Sequence, residues 1–245
     1  MEVDHDPQRS VAAIQPESHV GEEALAVSVL VEACVESVEE AVIAERAGAA
    51  RLELCANMAV GGTTPSDELF ASVRRRVGIP IAAMVRPRGG SFVYSDDELA
   101  QLWHDLERMK SLGADVLVSG ILRGDGSVDR DRTRELVARA GAIPVTMHLA
   151  FDAVPDHLTT LDVLIEAGVA RVLTSGGAGT AAAGVETLAS LVERSRNRIS
   201  IMAGGKVRAH NVQDIVRGSG VREVHARSED DETRIRDLVS ALSAV

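Results

Sequence analysis

Eight short β-branched or aliphatic runs alternate with eight amphipathic stretches along this chain, and that alternation restricts the fold more than any single residue does. The runs fall near residues 27–34, 51–55, 79–86, 115–121, 143–149, 171–175, 198–203 and 222–226. Helical periodicity occupies 36–48, 66–77, 96–112, 130–140, 157–167, 181–195, 209–217 and 231–243. A strand followed by a helix, repeated, builds a parallel sheet. Eight such units close a TIM-type (β/α)8 barrel. A doubly wound open sheet uses the same unit, but the count of eight favours the barrel. The segments AGAARLELC, LGADVLVSG, EAGVARVLTSG and SGVREVHA each place a glycine after a helix and then enter a strand, as the loop between the two requires.

The length of 245 residues accommodates one large barrel, and aromatics at 2% leave the core to Ala, Val and Leu. The barrel is expected over 25–245. Residues 1–24, MEVDHDPQRSVAAIQPESHVGEEA, lack sustained periodicity and read as a disordered leader. Acidic residues outnumber basic ones by 37 to 26, for a net charge of −11, which argues against a nucleic-acid partner. No apolar run reaches the roughly 18 residues of a membrane span, and the leader lacks a signal peptide's basic start and apolar core. The expected location is the cytoplasm, where two cysteines remain free thiols.

Strand parity then separates side chains that face the helices from those that face the barrel axis. In VLVEAC, Glu32 and Cys34 oppose the apolar set Val29, Val31 and Ala33; in RLELC, Arg51, Glu53 and Cys55 oppose Leu52 and Leu54. A carboxylate under a helix layer is costly, so Glu32 and Glu53 are assigned inward, with Cys34 and Cys55 beside them. The same rule turns Met84, Arg86 and Arg88 to one side. It gives Thr146, His148, Ala150 and Asp152 one face, leaving Val145, Met147, Leu149 and Phe151 to the helices. It also pairs Glu223 with His225 opposite Val224. These polar residues gather at the C-terminal ends of the strands, where barrels of this kind carry their sites.

Glu32, Glu53, Arg86, Arg88, His148, Asp152 and His225 are therefore the candidate catalytic residues. The arginines would hold an anion by bidentate contact, the glutamates supply acid and base, and His148 with Asp152 form a general-base pair if the strand stays extended through Asp152. A purely structural ion network is the competing reading. The loops SGGAG after the sixth strand and AGGK after the seventh offer Ser175, Gly176, Gly204 and Gly205 as an anion cradle. Glycines that merely form turns are the alternative there.

With these motifs in place the chain resembles the CutC family, named for copper homeostasis, over residues 27–227. The motifs are VEAC, RLELCANMAVGGTTPS, IAAMVRPRGGSFVYSDDE, LGADVLVSGIL, DGSVD, VTMHLAFD, GVARVLTSGG, IMAGGKVRAHN and REVHA. The resemblance implies a single TIM-type barrel, a cytoplasmic homodimer or higher assembly, and copper binding, with Cys34 and Cys55 corresponding to the cysteines to which it is attributed. Soft thiolates suit Cu(I). The sequence departs from the pattern at Leu149, where relatives carry Arg; at Lys206, where they carry Gly; and at Thr63, where they carry Leu. Three functions follow: a Cu(I)-binding protein; a barrel enzyme acting on a small carboxylate or phosphate metabolite; or an interaction protein that kept the barrel and lost its chemistry.

Overall fold

The computed structural model describes residues 29–228 and 232–243. The leader expected over 1–24 lies outside the described residues. Eight strands follow in order: β1 (Leu30–Val35), β2 (Arg51–Leu54), β3 (Ile81–Met84), β4 (Val116–Ser119), β5 (Val145–Met147), β6 (Arg171–Thr174), β7 (Ser200–Ala203) and β8 (Glu223–Arg227). Neighbours pair in parallel, and β8 pairs with β1 through Leu30↔Glu223 to Cys34↔Arg227, which closes the barrel in sequence order. Eight helices cross over between strands or follow the last one: α1 (Val38–Arg46), α2 (Asp67–Arg74), α3 (Asp96–Ser111), α4 (Arg130–Ala140), α5 (His157–Ala167), α6 (Val185–Ser195), α7 (Val212–Ser219) and α8 (Glu232–Leu242). The fold is thus the TIM-type (β/α)8 barrel that the alternation predicts.

Local chemistry fixes where the helices start. Ser37, Ser66, Ser95, Asp129 and Asp156 each precede a helix, and each side chain accepts a hydrogen bond from the amide three residues on. These bonds satisfy donors that the first helical turn leaves unpaired. Before α3 the bond is reciprocal, since Glu98 reaches back to the Ser95 amide. At the other end Gly168 and Gly220 stop α5 and α7 at φ of 85° and 74°, a conformation that strains any residue with a Cβ.

Strand parity separates two apolar cores. Val31, Ala33, Leu52, Leu54, Ile81, Leu117, Met147 and Val224 belong to the large cluster between strands and helices. A second, smaller cluster joins Cys34, Cys55, Ala82, Met84, Val116 and Val118, with Met58 packed against it. These are the residues of opposite parity on β1 to β4, so they fill the inside of the barrel. No helix among the described residues is long and apolar enough to cross a membrane.

Two local differences from the sequence reading bear on the site. β5 ends at Met147 rather than 149, and Leu149–Ala153 forms a 3-10 helix. The alternation of a strand no longer governs those residues. In addition, the loop after β2 makes a 3-10 turn at Met58–Val60, entered through Asn57 at φ 53°.

Candidate functional site

The polar interior is a connected ladder that climbs from the N-terminal toward the C-terminal strand ends. At the bottom, Glu223 opens β8 and accepts from Arg171 Nε at 2.6 Å, from Arg51 Nη2 at 2.6 Å and from Ser200 Oγ at 2.6 Å. Arg51 also donates through Nε to Glu32. Glu32 Oε1 lies 2.8 Å from His225 Nδ1, and His225 Nε2 lies 3.8 Å from Glu53 Oε2. The same Glu53 oxygen is 3.6 Å from Cys55 Sγ. At the top Cys34 Sγ lies 3.6 Å from Met58 Sδ.

The register explains why these groups meet. Glu32 is paired with Arg51 across β1–β2 and with His225 across β1–β8, while Glu53 is paired with Cys34. Parallel ladders place such partners at about one strand spacing, roughly 5 Å, with their side chains on the same face. Glu32, Glu53, Cys34 and Cys55 are all at most 3% exposed. The inward assignment of both Glu-x-Cys pairs therefore holds.

Burial and neighbouring charge pull these groups in different directions. Burial alone would raise the Glu32 carboxyl, but the hydrogen bond from His225 and the charge of Arg51 overcome it and hold the group at about 2. His225 is a buried imidazole, a state that favours neutrality, yet Glu53, Cys34 and Glu32 around it raise it well above its ordinary value. Glu53 has no arginine partner among the described residues, so burial and the charge of Cys34 push its carboxyl up. The Cys55 thiol's hydrogen bond lowers Cys34 to about 6 against burial, with help from His225, whereas Cys55 itself is raised. The result is a carboxylate–imidazolium pair beneath two thiols of unequal acidity.

Above the ladder, at the C-terminal strand ends, lies a cavity of about 440 Å³. Glu53, Met58, Arg86, Phe92, His148 and His225 are among the residues around it. Arg86 is 4% exposed; its Nη1 donates to the carbonyls of Val60, Gly61 and Gly62 and its Nη2 to that of Gly90, and its guanidinium lies 4.8 Å from the Phe92 ring centre. His148 accepts at Nδ1 from the Ala150 amide, 3.2 Å away, and its ring lies 4.9 Å from that of Phe92. Burial and the Arg86 charge depress His148 to about 3, so the imidazole is neutral and carries its proton on Nε2.

Several assignments made from parity need correction. Arg88 does not join Arg86 at the cavity, because Pro87 takes the chain out of the strand. Its guanidinium turns to Glu98 at 2.5 Å and to the Ser91 and Val93 carbonyls, bracing the start of α3. Asp152 does not pair with His148 either. The 3-10 helix that follows β5 redirects it to the loop after β6, where it accepts from Thr174 Oγ1, from Ser175 N at 3.0 Å and from Ser175 Oγ at 2.6 Å. Leu149, assigned to the helix side, lines the cavity and is 41% exposed, for the same reason.

The glycine loops form turns in which most of the candidate amides, those of Ser175, Gly176 and Gly204, are used internally. The Ser175 amide is taken by Asp152, the Gly176 amide by Thr174 Oγ1 at 2.9 Å, and the Gly204 amide by the Thr174 carbonyl at 2.9 Å. The chain's own carboxylate thus sits where an anion was expected. Gly205 meets the Ser175 side chain so closely that an added Cβ would lie 3.0 Å from it. Lys206 holds φ at 57°, in the left-handed region that a glycine would occupy without strain.

Sequence reasoning missed Met58, Phe92 and Arg171, and placed Arg51 in the inward phase without giving it a role. Arg51 and Arg171 open their strands in the inward phase, so parity was sufficient to find them. Met58 and Phe92 sit in loops, where no period reports direction.

The fold and the site together define a TIM-type barrel protein with an acid–imidazole–thiol cluster buried beneath a cavity at the C-terminal strand ends. Within that cluster Cys34, Glu53 and Cys55 present ligand atoms within 4.8 Å of one another, as do Glu32, Glu53 and His225. The profile of the CutC family matches residues 29–230, and the chain belongs to that family. It is 44% identical over 218 residues to the copper homeostasis protein cutC homologs of Mus musculus and Homo sapiens, covering 88% of this chain and 80% of each relative. It is 45% identical over 197 residues to a CutC family protein of Salmonella newport, covering 80% and 79%. The crystal structure of CutC from Streptococcus agalactiae superposes with a TM-score of 0.78 at 36% identity, over 82% of this chain and 98% of that one. A phosphoribosylanthranilate isomerase from Pyrococcus furiosus shares the fold, with a TM-score of 0.58 at 15% identity over 89% and 100%.

Proposed function

We propose that this protein binds Cu(I) through Cys34 and Cys55, with Met58 as a third sulfur ligand, and acts in the cytoplasm as a homodimer. The observation that carries the reading is the gathering of sulfur: two thiols and the Glu53 carboxyl have ligand atoms within 4.8 Å of each other, and Met58 Sδ is 3.6 Å from Cys34 Sγ. Two thiols and a thioether, flanked on one side by Ala82, Met84, Val116 and Val118, form a soft donor set, which fits Cu(I) better than hard, oxygen-seeking cations. The lowered Cys34 pKa, about 6, supplies one thiolate near neutral pH at little cost. Relatives from mouse and human carry the copper homeostasis name.

The reading is tested by Cu(I) titration against a competing chromophoric chelator. Wild type is expected to bind one Cu(I) per chain, Met58→Leu to bind it about tenfold or more weakly, and Cys34→Ser/Cys55→Ser to lose it. Unchanged stoichiometry and affinity in the double variant would remove the thiols from the site. A second reading, a barrel enzyme with a small anionic metabolite in the adjoining cavity, is favoured by Arg86, a buried cation with no carboxylate partner among the described residues.

A further inference from the structure

Two lining residues of the cavity set positive charge and a donor on it: His148 carries a buried Nε2–H with no hydrogen-bond partner among the described residues, and Arg86 is a buried cation with no carboxylate partner there, its guanidinium also within hydrogen-bond reach of the Tyr94 hydroxyl. A buried donor left unpaired is costly and is satisfied by a ligand that accepts from it. Both side chains are held rigidly. Four backbone carbonyls clamp the Arg86 terminal nitrogens, and the Ala150 amide fixes the His148 ring by occupying Nδ1, which leaves the proton on Nε2. Phe92 lies against both, 4.8 Å from the guanidinium and 4.9 Å from the imidazole ring.

We infer that the cavity is a binding site for a small monocarboxylate with a short apolar body, its carboxylate received by Arg86 and His148. The positive charge of Arg86, met among the described residues by carbonyl dipoles and the Tyr94 hydroxyl but by no carboxylate, selects an anion. The rest of the lining limits which anion fits. Leu173, Met84, Phe92 and Leu149 make much of the wall apolar, and Leu149 lies at the solvent edge, 41% exposed. A phosphate would bring more oxygens than one free N–H and an already occupied guanidinium can satisfy and set them against hydrocarbon. The inference rests on the second reading above, an anionic ligand in this cavity, and not on the thiols of the copper reading: Met58 lines the cavity, but neither cysteine does.

The test is isothermal titration of the full chain at neutral pH with benzoate and hexanoate, beside benzyl alcohol, hexanamide and inorganic phosphate. The carboxylates are expected to bind, and their neutral analogues and phosphate to bind at least about tenfold more weakly. Leu149→Glu, a change at a half-exposed position that leaves the fold intact, is expected to weaken benzoate by about tenfold through like-charge repulsion. Cys34→Ser/Cys55→Ser is expected to keep carboxylate affinity while it loses Cu(I), which separates the two readings. Absence of carboxylate binding at millimolar concentrations, equal binding of the neutral analogues, preference for phosphate, or loss of carboxylate binding with the thiols would each overturn the inference.

Discussion

Removing the charge of Glu32 would leave two cations, Arg51 and His225, without the carboxylate that both of them contact. Breaking a buried ion pair from one side costs about 3–5 kcal/mol, more than the intact pair contributes, because the abandoned charge stays out of water. Glu32→Gln is therefore expected to lower unfolding free energy in urea by about that amount, and to bring the His225 imidazole down toward its ordinary range, as followed by NMR titration. A midpoint unchanged from wild type would show that the ladder is not holding the barrel interior. Glu53 differs in kind. It shares His225 with Glu32 but touches no arginine among the described residues, so it is the carboxyl that remains available to a ligand. The same local logic explains what could be read from the chain: a glutamate in a half-apolar strand is legible as inward because burial of a charge demands a reason, whereas Met58 in a loop demands none.

The element that most altered the expected site is β5 and the 3-10 helix after it. Three consecutive consequences come from that one change of backbone: His148 stays at the end of the strand and faces the cavity, Leu149 joins it at the rim, and Asp152 swings to the loop after β6. Asp152 gathers two hydroxyls and the amides of Ser175 and Gly177. It acts as a built-in anion for a turn whose amides would otherwise converge on nothing. Asp152→Ala is expected to destabilise the protein by about 2–4 kcal/mol, the order of cost of several charge-assisted hydrogen bonds lost together. Hydrogen exchange should accelerate at the Ser175 and Gly177 amides, and Asp152→Asn should fall between the two. Exchange as slow as in wild type would mean that the loop is ordered by other contacts. Periodicity could not foresee this, because the step from extended to 3-10 backbone depends on where the neighbouring strands stop.

At the scale of the whole molecule, acid is the condition that tests the buried network together. His148 is held at about 3 in the folded barrel against 6.5 when exposed, so between those values the unfolded chain binds a proton that the folded one does not. Stability is therefore expected to fall as pH drops below 6.5. Glu32, held at about 2 against 4.5, adds a second loss of the same sign below 4.5. His225 works the other way, since its raised value contributes stability at low and neutral pH and loses it only as pH rises through the folded value. Urea midpoints across mildly acidic pH should show the first decline, and His148→Asn should flatten it; an identical slope in the variant would assign the decline to other groups. The sequence by itself determined the barrel, because eight β-α repeats bury their apolar faces consistently in one closed arrangement. It also determined which face of each regular strand looks inward, because parity is a local property. Only the tertiary structure decided which inward groups meet, where Arg88 and Asp152 go, and that Met58 and Phe92 reach the site. Those outcomes depend on strand register and on where loops turn, and both are set by packing between segments distant in the chain.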